Sequence, residues 1–381
     1  MNEKKKKNTW LKYISSACFL ALGGICGFLI AWYFMDVVEG KDLPELLFLF
    51  SGMMLIVYFA MIVQIVIHEA GHMVFGMLSG YRFCSFRIFS FMWIKDHGKL
   101  KFSRFSLAGT GGQCLMAPPD FKNGTIPVML YNFGGSIMNA AAGLLFLLLY
   151  SACGQKSLLA VTALIFAVVG FGFAVINGVP LHAGQVDNDG YNALSLSRSR
   201  KAQFSFWMQM KVNSRTAEGI RLKDMPDEWF VIPSDEEMKN SIVAVQGVLA
   251  ASRMMDAMKF DEADQLIEHI LSIDSGIVGL HRHLLTCERM YVEMTGKNRR
   301  DVIDRMMTKD LIKLMKVMKN YPAVLRTGYV YALFVQRDAA EAERIKVLFE
   351  KNAAVYPYPS EAEAERELMR YAERELKKRT N

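Results

Sequence analysis

Two histidines and a glutamate stand at 68, 69 and 72 inside the apolar stretch IVIHEAGHMVFGML, residues 65–78. Residues four apart share one face of an α-helix, so His68 and His72 can offer two imidazoles to one cation. Glu69 lies about 60° round such a helix from His72, beside the cation without having to bind it. H-E-x-x-H is the arrangement of two zinc ligands and a general base. Zinc lowers the pKa of a bound water to about 7. Glu69 can take that proton, the hydroxide attacks a peptide carbonyl, and Glu69 returns the proton to the leaving amine. The bland alternative is a set of incidental polar residues at a helix end, because a five-residue pattern arises by chance in soluble chains. The apolar setting argues against it: ionisable residues within a membrane span are costly and mark function.

The surrounding sequence supplies the elements that would hold these groups. Apolar runs at 13–35, 46–78, 125–152 and 157–180 are each long enough to cross a bilayer, which predicts four spans; the second is free of charge up to His68. The first is longer than a signal-peptide core and no small-x-small site follows it, so it reads as an uncleaved anchor. The segment 79–125 carries seven Lys and Arg against Asp96 and Asp120, while the loop DVVEGKDLPE is acidic and Lys156 is the one charge between the last two runs. This bias predicts a multi-pass protein with both termini cytoplasmic, and puts His68 and His72 towards the cytoplasmic side; the expected location is a bacterial-type plasma membrane.

Lys4 to Lys7 fit a cytoplasmic tail over 1–12 under the same rule. No basic stripe interleaved with aromatics accompanies them, so no nucleic-acid partner is expected. The six cysteines include no C-x-x-C pair, which excludes a cysteine zinc site and a disulfide framework. The segment 81–107 alternates aromatic and polar residues and turns at KDHGK, a β-hairpin pattern with His97 in its turn. GTGGQ, 109–113, is expected to end regular structure there. The edge of this ribbon is a candidate to pair with an unwound substrate strand.

From about residue 191 the pattern is helical with polar faces. Helices are expected at 200–218, 235–258, 260–273, 277–295, 299–320, 322–336, 339–354 and 360–378. The fold class is therefore mainly α: a polytopic membrane domain over 13–195 with a membrane-associated hairpin, then a cytoplasmic domain of helical hairpins over 196–381. AASRMMDAMKFDEADQLIEHILSID resembles one tetratricopeptide-type hairpin, with Ala251 and Ala263 at its small positions. This domain is a candidate protein-binding element. His269, His281 and His283 read as ordinary helix residues.

A catalytic zinc keeps three protein ligands and one open position. Candidates for the third are His182, Asp187 and Asp189, in INGVPLHAGQVDNDGYNALS after the last apolar run. HEAGH, then GGSIMN with Asn139, then Asn177-x-x-Pro180, then Asp189-Gly190 follow one another in membrane order. Across about 45–195 this resembles the site-2 protease family of intramembrane zinc metalloproteases. The chain departs from that family in a gap from Pro180 to Asp189 about four residues longer, in Tyr191 where a second glycine is usual, and in a small-residue motif without its proline.

The resemblance implies Zn2+ held by His68, His72 and Asp189, with Asp187 the alternative third ligand, and Glu69 as base. It implies that Asn139 holds the substrate strand or its carbonyl near the metal; the bland reading is a polar residue cementing helices. Implied substrates are single-pass membrane proteins or peptide precursors, in regulated proteolysis or peptide maturation. A non-proteolytic membrane adaptor is the competing function, but it has no need of Glu69. A zinc transporter fits poorly with so few spans and a single acidic-histidine cluster.

Overall fold

A computed structural model describes residues 2–37, 40–96, 98–105, 111–153, 157–180 and 187–380; His97 and His182 lie outside them. The chain is mainly helical, with a small antiparallel sheet. It divides into two compact units: 1–83, 111–114 and 127–199 form the first, and 84–110, 115–126 and 200–381 the second.

The first unit contains α1 (Asn2–Val37), α2 (Leu43–Leu78), α3 (Met129–Ala152), α4 (Leu158–Gly178) and α5 (Asp189–Arg198). Among the described residues, α2, α3 and α4 are long and apolar enough to cross a membrane; the apolar part of α1, Leu20–Met35, is shorter. The Asp42 side chain accepts from the Glu45 amide at 2.9 Å and starts α2, with a proline in its first turn. Ser157 starts α4 in the same way. Inside the bundle, Cys26 and Ile30 of α1 pack with Met53 and Ala60 of α2 and Ile165 of α4. The outward faces are equally apolar: Phe48 is 83% exposed and Leu145 65%. Apolar surface on that scale suits lipid rather than water.

Strands β1 (Arg82–Ile88), β2 (Phe91–Asp96), β3 (Lys99–Arg104) and β4 (Gly112–Ala117) form a sheet of order β3-β2-β1-β4. The leading residues of β1 and β4 group with the first unit and the rest with the second. β2 pairs antiparallel with both β1 and β3, so the expected single hairpin is a meander, with an extra turn where Phe89 takes φ 51°. Gly109 and Thr110 of GTGGQ lie outside the described residues; β4 starts at Gly112, inside the motif expected to break regular structure. Cys114 and Met116 point inward at the two-residue period of a strand, but Gly112 contributes no side chain to that pattern.

The second unit continues with α6 (Arg200–Ala217), α7 (Ser241–Asp256), α8 (Phe260–Ser272), α9 (Gly279–Thr295), α10 (Arg300–Met306), α11 (Lys309–Val317), α12 (Pro322–Tyr331), α13 (Ala339–Ala353) and α14 (Pro359–Thr380). The helix expected over 299–320 is broken in two, because Thr308 caps a fresh start by accepting from the Leu311 amide. The one expected over 235–258 begins only at Ser241, where Asn240 caps it. The segment 322–336 ends in a π-helical turn, Ala332–Gln336. α7 and α8 pack together with Ala251 and Ala263 fully buried.

Candidate metal centre

His68 and His72 occupy successive turns of α2 and are buried, as is Glu69. Their Nε2 atoms lie 3.1 Å apart. Asp189 Oδ2 stands 3.0 Å from the first and 3.3 Å from the second. These residues form the one group of His, Cys, Asp and Glu side chains, among the described residues, placed to hold a metal ion. Three ligand atoms about 2.0–2.2 Å from a tetrahedral zinc sit about 3.3–3.6 Å from one another. The observed triangle is within a few tenths of an ångström of that.

The hydrogen-bond partners on the far side of each ring decide what the triangle can bind. His72 Nδ1 is 2.8 Å from the Tyr131 backbone oxygen, which only accepts, so Nδ1 carries the hydrogen. His68 Nδ1 is 2.8 Å from Asn139 Oδ1. The Asn139 amide is itself oriented, because its Nδ2 donates to Gln64 O at 2.8 Å and Gln64 Oε1 at 2.7 Å. Gln64 Nε2 in turn donates to Phe166 O at 3.2 Å. His68 Nδ1 is therefore a donor too. In the neutral rings both Nε2 atoms carry bare lone pairs, facing each other and a carboxylate oxygen. Three lone pairs with no hydrogen among them repel unless a cation sits between. Imidazoles whose second nitrogen donates to a carbonyl or amide oxygen are the usual metal-ligating kind.

Local sequence explains the positions. A Cβ on Gly135 would overlap the His68 imidazole, so α3 must carry glycine there for the ring to lie against it. Asp189 is the first residue of α5, a helix not expected from the sequence. Asn188 caps it, accepting from the Tyr191 amide at 2.9 Å and donating through Nδ2 to Ile176 O at 2.8 Å and Val179 O at 2.6 Å. That ties the start of α5 to the end of α4. Gly190 lies against the Gly178 oxygen, where a Cβ has no room.

No protein-family model, curated protein or solved structure gives a significant match to this chain.

Of the sequence-derived candidates, His68, His72 and Asp189 converge, while Asp187 is outside the group. Glu69 lies with its carboxyl against the backbone of Gly112. Asn139 reaches the site from behind. It is fully buried, and its amide is taken up by His68 and Gln64. Asn177 bonds back to Phe173 O within α4. Sequence reasoning missed Gln64, Tyr131 and Asn188. Gln64 had a signal, a polar residue one turn before His68 in an uncharged run; Asn188 had one as an Asn preceding Asp-Gly. Tyr131 acts through its backbone oxygen and left none.

Proposed function

We propose that this chain is a zinc-dependent endopeptidase of the site-2 type, cutting peptide bonds within or near transmembrane segments of membrane proteins or peptide precursors. The observation that carries the reading is the convergence of two lone-pair imidazole nitrogens and a carboxylate oxygen within 3.0–3.3 Å, next to a buried glutamate on an apolar helix. The donor set of nitrogen, nitrogen and oxygen suits zinc, which when bound acidifies water and polarises a carbonyl. Glu69 supplies the remaining chemistry: its carboxylate accepts a proton from the attacking water and delivers it to the leaving nitrogen. His68 and His72 stay oriented by Asn139 and the Tyr131 carbonyl throughout.

A transmembrane helix satisfies its own backbone hydrogen bonds, so a substrate has to unwind before it is cut. β4 is the terminal strand of the sheet order and its Gly112 adjoins Glu69, which favours an unwound segment adding there. In this reading α1 also crosses the membrane, both termini are cytoplasmic, and the hairpin-like helices of the second unit bind protein.

The test is cleavage of a single-pass substrate in proteoliposomes. Wild type cuts it; Glu69→Gln keeps its metal and loses at least 100-fold in rate. Equal rates in the two proteins would remove the reading.

A further inference from the structure

The second unit encloses a cavity of about 330 Å³ whose lining comes from α6, α7, α9, α12 and α14 and the segments flanking them. One part of its wall is aliphatic, with Val248, Leu249 and Leu284; another is acidic, with Glu288, Glu361 and Glu365. The acidic part is short of positive charge. Arg326 is fully buried, and its guanidinium is shared: Nη2 donates to Glu288 Oε1 at 2.6 Å and Nε to Glu365 Oε2 at 2.8 Å. Glu361 has a neutral donor, the Tyr356 hydroxyl, at 2.8 Å. Glu288 and Glu365 thus share one guanidinium, and Glu361, which feels the charge of Glu365, has only the hydroxyl. The other ion pair of the lining, Arg221 with Asp256, does not relieve this, since Arg221 also binds Glu367.

Two further atoms are unsatisfied. Glu288 Oε2 and His281 Nδ1 are both buried with no hydrogen-bond partner. Burial pushes the His281 imidazole down to about 4 and the Glu361 carboxyl up to about 7, so the histidine adds no positive charge and the glutamate resists its negative one. Buried carboxylates are costly without a paired cation. Apolar walls with a few convergent polar groups, at this volume, are the usual form of a small-ligand site.

We propose that this cavity binds a cationic group on an aliphatic stem, an ammonium or guanidinium that donates to Glu288 Oε2, Glu361 and His281 Nδ1 while its stem lies on Val248, Leu249 and Leu284. The group belongs either to a lysine or arginine of a protein segment or to a free amine of the same shape. The site is independent of the metal centre, and its test does not need peptidase activity.

The full chain, purified in detergent and carrying Glu69→Gln so that no peptide is cut, is titrated calorimetrically with acetyl-Ala-Arg-Ala-amide, with agmatine and with acetyl-Ala-Gln-Ala-amide. Saturable binding of a cationic probe and none of the glutamine peptide is expected. Tighter binding of the arginine peptide assigns the site to a protein segment; tighter binding of agmatine assigns it to a free amine. Glu361→Gln and Glu288→Gln should each weaken binding at least tenfold. Glu361→Gln should also raise the melting temperature of the unliganded protein, because an uncompensated buried charge is gone. Absence of binding by both cationic probes, equal binding of the glutamine peptide, or unchanged affinity with a lowered melting temperature in Glu361→Gln overturns the proposal.

Discussion

Asn139 Oδ1 lies 2.8 Å from His68 Nδ1, and the other end of the same amide meets the Gln64 backbone oxygen at 2.8 Å. A backbone oxygen only accepts, so the amide is locked in one orientation and the imidazole in one tautomer. Asn139→Leu should therefore lower zinc affinity about 10–100-fold with the helices intact. Asn139→Asp should lie between, since it keeps an acceptor for His68 but sets a second oxygen against Gln64 O. Chelator competition reads both. Wild-type affinity in Asn139→Leu would show that the amide does not orient the ligand.

Gly135 and Gly52 separate a local clash from a general intolerance of side chains on membrane helices. A Cβ at Gly135 collides with the His68 ring, whereas a Cβ at Gly52 meets nothing within 4 Å. Gly135→Ala should lose most of its metal and activity and Gly52→Ala should match wild type, read by metal per chain. Similar behaviour of the two would remove the packing argument.

Asn188 couples the end of α4 to the residue that completes the metal triangle. Asn188→Ala removes a helix cap, a loss of about 1 kcal/mol, together with both anchoring bonds from Nδ2. We expect roughly tenfold weaker metal binding, from freer motion of Asp189, with helix content by circular dichroism unchanged. Asn188→Asp retains the cap and loses the anchors, so it should bind metal less well than wild type and better than Asn188→Ala. A wild-type affinity in Asn188→Ala would mean that α5 is held by other contacts.

Glu361 makes stability depend on pH. Its carboxyl, facing Tyr356, Tyr321, Tyr358 and Glu365, is raised by burial to about 7. A carboxyl raised above its unfolded value of about 4.3 contributes stability present in full below that pH and lost as pH rises through the folded value. His281, lowered by burial to about 4, acts oppositely: its contribution is lost as pH falls below its unfolded value. The difference between wild type and Glu361→Gln isolates the carboxyl. The variant's advantage in unfolding free energy should grow from pH 5 to 8 by on the order of 1–3 kcal/mol. A difference independent of pH contradicts it.

How much of this was legible depended on whether a residue acts through its side chain at a regular spacing. His68, Glu69 and His72 stood out because four-residue spacing in an uncharged run has few other uses, and Asp189 because glycine follows it. Tyr131 works through its carbonyl, which any residue supplies. Gln64 and Asn188 were visible as polar residues, but which groups they touch is set by tertiary packing. The predominance of helix followed from periodicity. β4 did not, because Gly112 leaves a short strand with only Cys114 and Met116 to show its period. The break at Thr308 was written as a cap, yet apolar spacing on either side ran on through it.

The most direct measurement is metal content per chain in detergent-purified protein, for wild type, His68→Ala, Asp189→Ala, Asp187→Ala and Glu69→Gln. About one zinc per chain is expected in wild type, as for a single site with three protein ligands. It should be lost in His68→Ala and Asp189→Ala and kept in Asp187→Ala and Glu69→Gln. A folded wild type without zinc, or a site that survives Asp189→Ala and fails in Asp187→Ala, would contradict the account.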